Sequence, residues 1–366
     1  MAPGRPEIPI VVFPANNVVR CTTRPSAAVE GAMKATIDAL TRLHTELMRP
    51  EGAGDGITAA FDAAVEQADQ LATEAMVAPM DTAALKPIVP NHDYFGIRTA
   101  PLDDAYLVSE ITTIAARALA DLQHSRVALP DQAAAVLATI HLFRGLNPPD
   151  AAPAAEPADR PAGLVPYKPG SDELTRWITI HQYHFILDLA AAGAVTRALD
   201  AVRDGDRVTA CDAFREAAVF VLGFTAAMMH SGDMSAPCYG GTVRPTMQPP
   251  AVPAALTGRT LPEHKAHRKA MRRVVREFPT PFTELAETDA ELALARDLLL
   301  EADLIDIERH VIVAANLVGQ DHSIIRVDPG AESATAVLRM MRHTRAVDYR
   351  PLMRYGDPIA LVGGQR

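Results

Sequence analysis

The chain is poor in cysteine, in aromatic residues and in uninterrupted apolar runs, and each scarcity excludes something. Its three cysteines, Cys21, Cys211 and Cys238, are odd in number and far apart, and none forms a CxxC metal pair or a CxxCH haem-attachment site. That usage fits a reducing compartment, so the expected location is the cytoplasm. No segment approaches the roughly 18 consecutive apolar residues of a membrane-spanning helix, and the start MAPGRPEIPIVVFP lacks a charged stretch followed by a long apolar core. No membrane partner is expected. A net charge of -10 disfavours broad contact with a phosphate backbone, so nucleic acid is not an expected partner either. The local basic run His264-Lys265-Ala266-His267-Arg268-Lys269, followed by Arg272 and Arg273, reads as a solvated helix face.

What is present points to helices. Hydrophobic residues make up 48% of the chain, enough for a sizeable core, and alternating β-branched runs are scarce. Periodicity predicts helices at 26–48, 56–77, 103–125, 130–144, 171–201, 208–230, 262–277 and 286–319, an all-α chain with few strands. The stretch NPPDAAPAAEPADRPAGLVPYKPG carries too much proline to continue any helix. It divides the chain into an amino-terminal helical part (1–150), a proline-rich linker or crossing loop (151–170) and a carboxy-terminal helical part (171–366). A second irregular stretch, Ser231 to Arg259, is long for a loop inside a helical domain, and such loops are often functional.

The aromatic residues cluster where histidines do. In RWITIHQYHF, residues 176–185, Trp177 and His181 are four apart on one helix face, and His184 lies three beyond His181. The plainer alternative is imidazoles satisfied by backbone carbonyls inside a core, His184 in particular. His310 lies in ERHVIVAANLVG, among small and branched apolar residues against which a flat ligand could pack, with Asp306 or a backbone carbonyl one turn back as acceptor for its other nitrogen. Arg244 is held in a loop rich in proline and glycine, and its planar fork suits a carboxylate. Farther on, Gly330-Ala331-Glu332-Ser333-Ala334 offers small residues and a hydroxyl where a ligand could approach.

In this order the segments resemble the histidine-ligated haem-dependent aromatic oxygenases, the superfamily of tryptophan 2,3-dioxygenase and indoleamine 2,3-dioxygenase. DELTRWITIHQYHF is similar to the distal helix, DMSAPCYGGTVRPTMQPP to the carboxylate-gripping segment, TLPEHKAHRKAM to an indoleamine dioxygenase segment, and ERHVIVAANLVG to the proximal helix. The resemblance spans 172–339 and implies a helical bundle of the indoleamine/tryptophan dioxygenase type with an additional amino-terminal helical domain. It implies non-covalent haem b with His310 as iron ligand. A tyrosine-hydroxylating relative tethers its haem through a cysteine four residues after that histidine; Ala314 holds the position here, excluding such a thioether. The resemblance further implies His181 as the distal catalytic histidine, and Trp177, Tyr239, Arg244 and Ser333 as substrate-binding residues. The implied activity is oxygenation of an aromatic L-amino acid, tryptophan or a tyrosine-type compound, with O2 or peroxide; a homo-oligomer is compatible with it. The alternative is a haem sensor or carrier without turnover, which has no need of Arg244. A class I terpene cyclase, hinted at by Leu102-Asp103-Asp104-Ala105-Tyr106, lacks a second metal-binding helix.

Overall fold

The protein is described by a computed structural model over residues 9–49, 54–78, 80–149, 151–152, 172–320, 322–325 and 330–355. The elements begin with β1 (Val11–Pro14), α1 (Ala27–Leu47), α2 (Gly54–Glu74), α3 (Pro90–Tyr94) and β2 (Ile97–Ala100). Then follow α4 (Asp104–Leu122), α5 (Leu129–Leu146), α6 (Glu173–Asp204), α7 (Arg207–Ser231) and the short α8 (Ala236–Cys238). The chain continues through α9 (Pro262–Glu277), α10 (Phe282–Thr288), α11 (Ala290–Val318) and α12 (Ala334–Tyr349). It is mostly helical, as expected. The one strand pairing among the described residues is β1 with β2, parallel, with Val11 opposite Ile97. No single described helix is long and apolar enough to cross a membrane.

Each predicted helix is present, with local corrections. The helix predicted at 286–319 is divided at Asp289, whose side chain accepts from the Leu292 backbone N–H at 3.2 Å and so starts α11 anew. Within the stretch 231–259, residues 236–247 form α8, a π-type turn (Tyr239–Val243) and a 3₁₀ turn (Arg244–Met247), while 248–257 are irregular, as expected. α12 has no counterpart among the sequence expectations. The linker expected at 151–170 lies, from 153 onward, outside the described residues. The acidic pair that hints at a terpene cyclase has other work: Asp103 caps α4 through the Tyr106 N–H at 2.8 Å, and Asp104 accepts from backbone and hydroxyl groups of Thr22 and Thr23.

The centre of the molecule is the antiparallel hairpin of α6 and α7, flanked by α4, α5, α9 and α11. α6 is apolar around most of its circumference because it is covered on several sides; Trp177, Ile180, Phe185, Leu187, Ala191 and Val195 are all buried. Each large apolar side chain so buried contributes about 1.5–3 kcal/mol. Gly205 ends α6 in the left-handed region at φ 76°, a conformation that side chains other than glycine resist, and Asp206 then caps α7. Residues from both sides of the proline-rich stretch, among them Met33, Phe143, Phe214 and Leu300, share one apolar cluster.

α5 and α7 meet closely at Gly223. A Cβ there would lie 2.2 Å from the Ala138 Cβ and 3.3 Å from Leu187 Cδ1. Gly223→Ala is therefore expected to destabilise the fold by about 1–3 kcal/mol despite alanine's better helix propensity. The urea midpoint checks this, and an unchanged or raised midpoint would show that α5 can retreat.

The start of α6 is tied to its neighbours by a buried carboxylate. Asp121, on α4, accepts from Arg176 Nε at 2.7 Å and from His230 Nε2 at 2.9 Å. Burial alone would raise its pKa, but the hydrogen bond and charge of His230 and the Arg176 guanidinium outweigh burial and hold it at about 2. A carboxylate depressed in the fold stabilises it above its unfolded pKa and loses that contribution as pH falls through the folded value. The wild type should thus lose about 2 kcal/mol from this group between about pH 4 and pH 2. Asp121→Asn should be less stable at neutral pH and show a shallower acid-side slope in denaturation midpoints, and an equal slope would assign acid sensitivity elsewhere.

Candidate functional site

Asp172 fixes where α6 starts. Its carboxylate accepts from the Thr175 N–H at 2.8 Å and from the Thr175 hydroxyl at 2.8 Å. The helical repeat then brings Trp177, His181, His184 and Asp188 along one flank. The Trp177 and His181 rings lie 4.2 Å apart, as their spacing predicts. Phe95, arriving from the turn after α3, stacks on His181 at 4.8 Å with 17° between planes, and Tyr239 stands 5.6 Å from Trp177. Three distant segments thus build one aromatic wall.

The imidazoles on this wall have defined tautomers. His181 Nδ1 is 2.6 Å from the Trp177 carbonyl, which can only accept, so Nδ1 carries the hydrogen and Nε2 keeps a lone pair. Burial pushes His181 down to about 4, leaving it neutral at physiological pH. His310 repeats the arrangement on α11, with Nδ1 3.2 Å from the Asp306 carbonyl and 3.3 Å from Asp306 Oδ1, so both acceptors foreseen for it are used. Burial works against a charge on His310, but the Asp306 carboxylate outweighs burial and raises its pKa. Asp306 is itself steadied by the Thr225 hydroxyl at 3.1 Å. The structure brings the two histidines together: His310 is near enough for its charge to depress both His181 and His184. Ala314, one turn beyond His310, is fully buried.

Tyr239 and Arg244 hold a strap. The Tyr239 hydroxyl donates to the Ile324 carbonyl at 2.9 Å, while Arg244 donates through Nη2 to the Ser323 carbonyl at 2.7 Å and through Nε to the Ile325 carbonyl at 3.3 Å. Three successive carbonyls just beyond α11 are thus fastened to the π and 3₁₀ turns. Arg244 also lies close enough to Tyr239 for its charge to act on the phenol. Ser333 stands apart from this group. Its hydroxyl accepts from the Ala336 N–H at 3.2 Å and donates to the Gln320 carbonyl at 2.5 Å, capping α12, and its described contacts reach none of Trp177, His181 or Tyr239.

Two residues at the site escape the sequence reading. Phe95 comes from the amino-terminal part, where no motif is legible. His264 belongs to the basic run read as solvated, yet it faces inward: burial and the neighbouring His267, Arg268 and Arg345 push it down to about 3, and Asp306 lies beside it. The buried spacing Glu263, His267, Ala270, Met271 and Val274 marks the inner face of α9 and was the available signal. The outward face carries the exposed Lys265, Lys269 and Arg272.

This donor set suits a porphyrin iron better than a bare cation. Among the described residues no group of three or more His, Cys, Asp or Glu side chains is placed to hold a metal ion. A porphyrin supplies four nitrogens of its own and asks the protein for one neutral imidazole, oriented through its other nitrogen. His310 can meet that requirement through Nε2 once the proton that Asp306 favours on it is displaced, with Asp306 as orienting acceptor. Ala314 offers no thiol for a covalent attachment.

A sequence profile of the SfmD 3-methyl-L-tyrosine peroxygenase family matches residues 17–295. The matched span contains Phe95, Trp177, His181, Tyr239 and Arg244 and ends before His310. A 3-methyl-L-tyrosine peroxygenase of Streptomyces lavendulae is 26% identical over 211 residues, 56% of this chain and 54% of that protein. The aligned region thus spans about half the relative's length. A crystal structure of reduced SfmD, soaked with sodium hydrosulfite, superposes with a TM-score of 0.46 at 20% identity, covering 78% of this chain and 97% of that one. The profile match extends through the amino-terminal helices as well as the aromatic wall and covers most of the sequence, and the chain belongs to the SfmD 3-methyl-L-tyrosine peroxygenase family.

Proposed function

We propose that this protein is a haem-dependent oxygenase that inserts oxygen from peroxide into an aromatic L-amino acid of the substituted-tyrosine type. The observation that carries the reading is the meeting of His181 and His310. Each is pinned at Nδ1 by the carbonyl one turn back, His181 keeps an Nε2 lone pair, His310 offers one on losing its proton, and an aromatic wall adjoins His181. Membership of the peroxygenase family supports the substrate class and favours peroxide over O2. The same reading puts the helical bundle with those of the tryptophan and indoleamine dioxygenases, and His310 would hold haem b without a covalent link.

The haem iron, when bound, supplies the oxidation that side chains cannot perform. Trp177, Phe95 and Tyr239 pack the substrate ring. Arg244 binds the substrate carboxylate, which competes with the strap carbonyls because it brings an opposite charge and two acceptor oxygens that match the guanidinium fork. Orientation of this kind removes several kcal/mol of barrier. His181, neutral at working pH, accepts a hydrogen bond at Nε2 from the phenol or from peroxide and so helps to place it.

The test is the absorption spectrum of protein made with haem supplied, ferric and then ferrous with carbon monoxide, before and after tyrosine or 3-methyl-L-tyrosine is added. A Soret band perturbed by the amino acid is expected, and a colourless folded protein would overturn the reading. Arg244→Ala should retain haem and bind the amino acid roughly 10- to 100-fold more weakly. Unchanged affinity would remove Arg244 from the carboxylate role.

A further inference from the structure

We infer that Asp188 is held as a neutral carboxylic acid whose hydroxyl faces Nε2 of His184, and that this pair is a positioning device that keeps the ring behind His181 uncharged. Asp188 is fully buried, and neither carboxylate oxygen has a hydrogen-bond partner among the described residues. An ionised carboxylate in that state costs several kcal/mol. The nitrogen facing it is His184 Nε2, 3.6 Å from Oδ2 and one helical turn back.

The tautomer of His184 decides what faces Asp188. Nδ1 lies 3.0 Å from the Phe224 carbonyl on α7, which only accepts, so Nδ1 carries the ring hydrogen and the neutral ring offers a lone pair at Nε2. Lone pair would then meet lone pair unless one proton sits between Oδ2 and Nε2. Either His184 is an imidazolium beside a carboxylate, or Asp188 is the acid and turns its hydroxyl toward Nε2.

The surroundings favour the second arrangement. From α11, Asp306 and Asp303 act on Asp188, and from α9 Glu263 and Arg268 do; three are acidic. The cation among these four, Arg268, is committed to Asp303 at 2.6 and 2.8 Å. Burial and this negative neighbourhood raise Asp188 well above the carboxylate range, while burial, then His181 and His310, push His184 down to about 3. The proton therefore resides on the acid. His184 stays neutral, 6.2 Å from His181 between ring centroids, and is locked against α7. None of this depends on haem.

Asp188→Asn is the informative variant, because the amide is neutral, nearly isosteric and donates toward Nε2. A group whose folded pKa is raised takes up a proton on folding, so the wild type loses stability as pH rises above about 4. Asp188→Asn should lose that downward slope in urea midpoints and be at least as stable as the wild type at neutral pH, whereas Asp188→Ala should be less stable than Asp188→Asn. In wild-type protein carrying carboxyl-labelled aspartate, infrared spectra at neutral pH should show a protonated carboxylic acid, and nitrogen NMR should show His184 protonated at Nδ1 alone. Absence of the acid band in the wild type, a doubly protonated His184, or an Asp188→Asn variant that keeps the full slope would each overturn the inference. The wild-type spectra decide the matter even if neither variant folds.

Discussion

Replacing His310 with alanine is expected to abolish stoichiometric haem retention while leaving the chain folded. The imidazole keeps 34% of its side chain accessible, so its removal takes away little packing. What it removes is an Nε2 whose direction is set twice, by the Asp306 carbonyl and by the Asp306 carboxylate. Neither His181 nor His184 substitutes for it in place, because both issue from α6 with their own Nδ1 anchors, to Trp177 and Phe224. The measurement is the ratio of Soret to protein absorbance after reconstitution and gel filtration, with helix content followed by circular dichroism. A full Soret band in a folded His310→Ala protein would sink the axial assignment. Asp306→Asn should give an intermediate result, because the backbone carbonyl remains as acceptor while the orienting negative charge is lost.

Asp303→Ala is expected to be the most destabilising single change at the carboxy-terminal end, by about 3–5 kcal/mol. This fully buried carboxylate accepts from His267 Nε2 at 3.1 Å, Arg268 Nη1 at 2.6 and 2.8 Å, the Tyr349 hydroxyl at 2.7 Å and Arg345 Nη1 at 3.3 Å. Burial would raise its pKa, but Arg268 and Arg345, with His267, hold it well below the carboxylate range. Removing it leaves two guanidinium groups largely buried with no carboxylate of equal quality. Asp306 Oδ2 stands 4.0 Å from Arg345 Nη1 and is already engaged. The urea midpoint at neutral pH reads the effect, and Asp303→Asn, which preserves shape and one acceptor, should lose less than Asp303→Ala. A midpoint shift in Asp303→Ala no larger than that of a surface substitution would show that α9, α11 and α12 are held by packing alone.

Asp303 also explains why α12 was not legible in the sequence. Only Thr335, Arg345 and Tyr349 of its residues are buried, so no apolar stripe repeats at helical spacing. Two of those three bond to Asp303, a residue far away in the chain. The helix at 286–319 was legible from its apolar content, but its division at Asp289 depends on a cap that periodicity does not register.

The site divides the same way. By itself the sequence determined the long helices, the shared face of Trp177 and His181, and the apolar setting of His310, because each follows from a repeat of 3.6 residues or from neighbours a few positions away. The tertiary structure alone decided that Phe95 stacks on His181, that His264 turns inward, that Tyr239 and Arg244 fasten the strap after α11, and that His184 is pinned to α7 with Asp188 behind it. Apart from the one-turn spacing of His184 and Asp188, these are contacts between groups tens of positions apart. A hydrogen bond or a buried charge depends on distance in space and on exclusion of water, and neither is encoded by the local pattern of one segment.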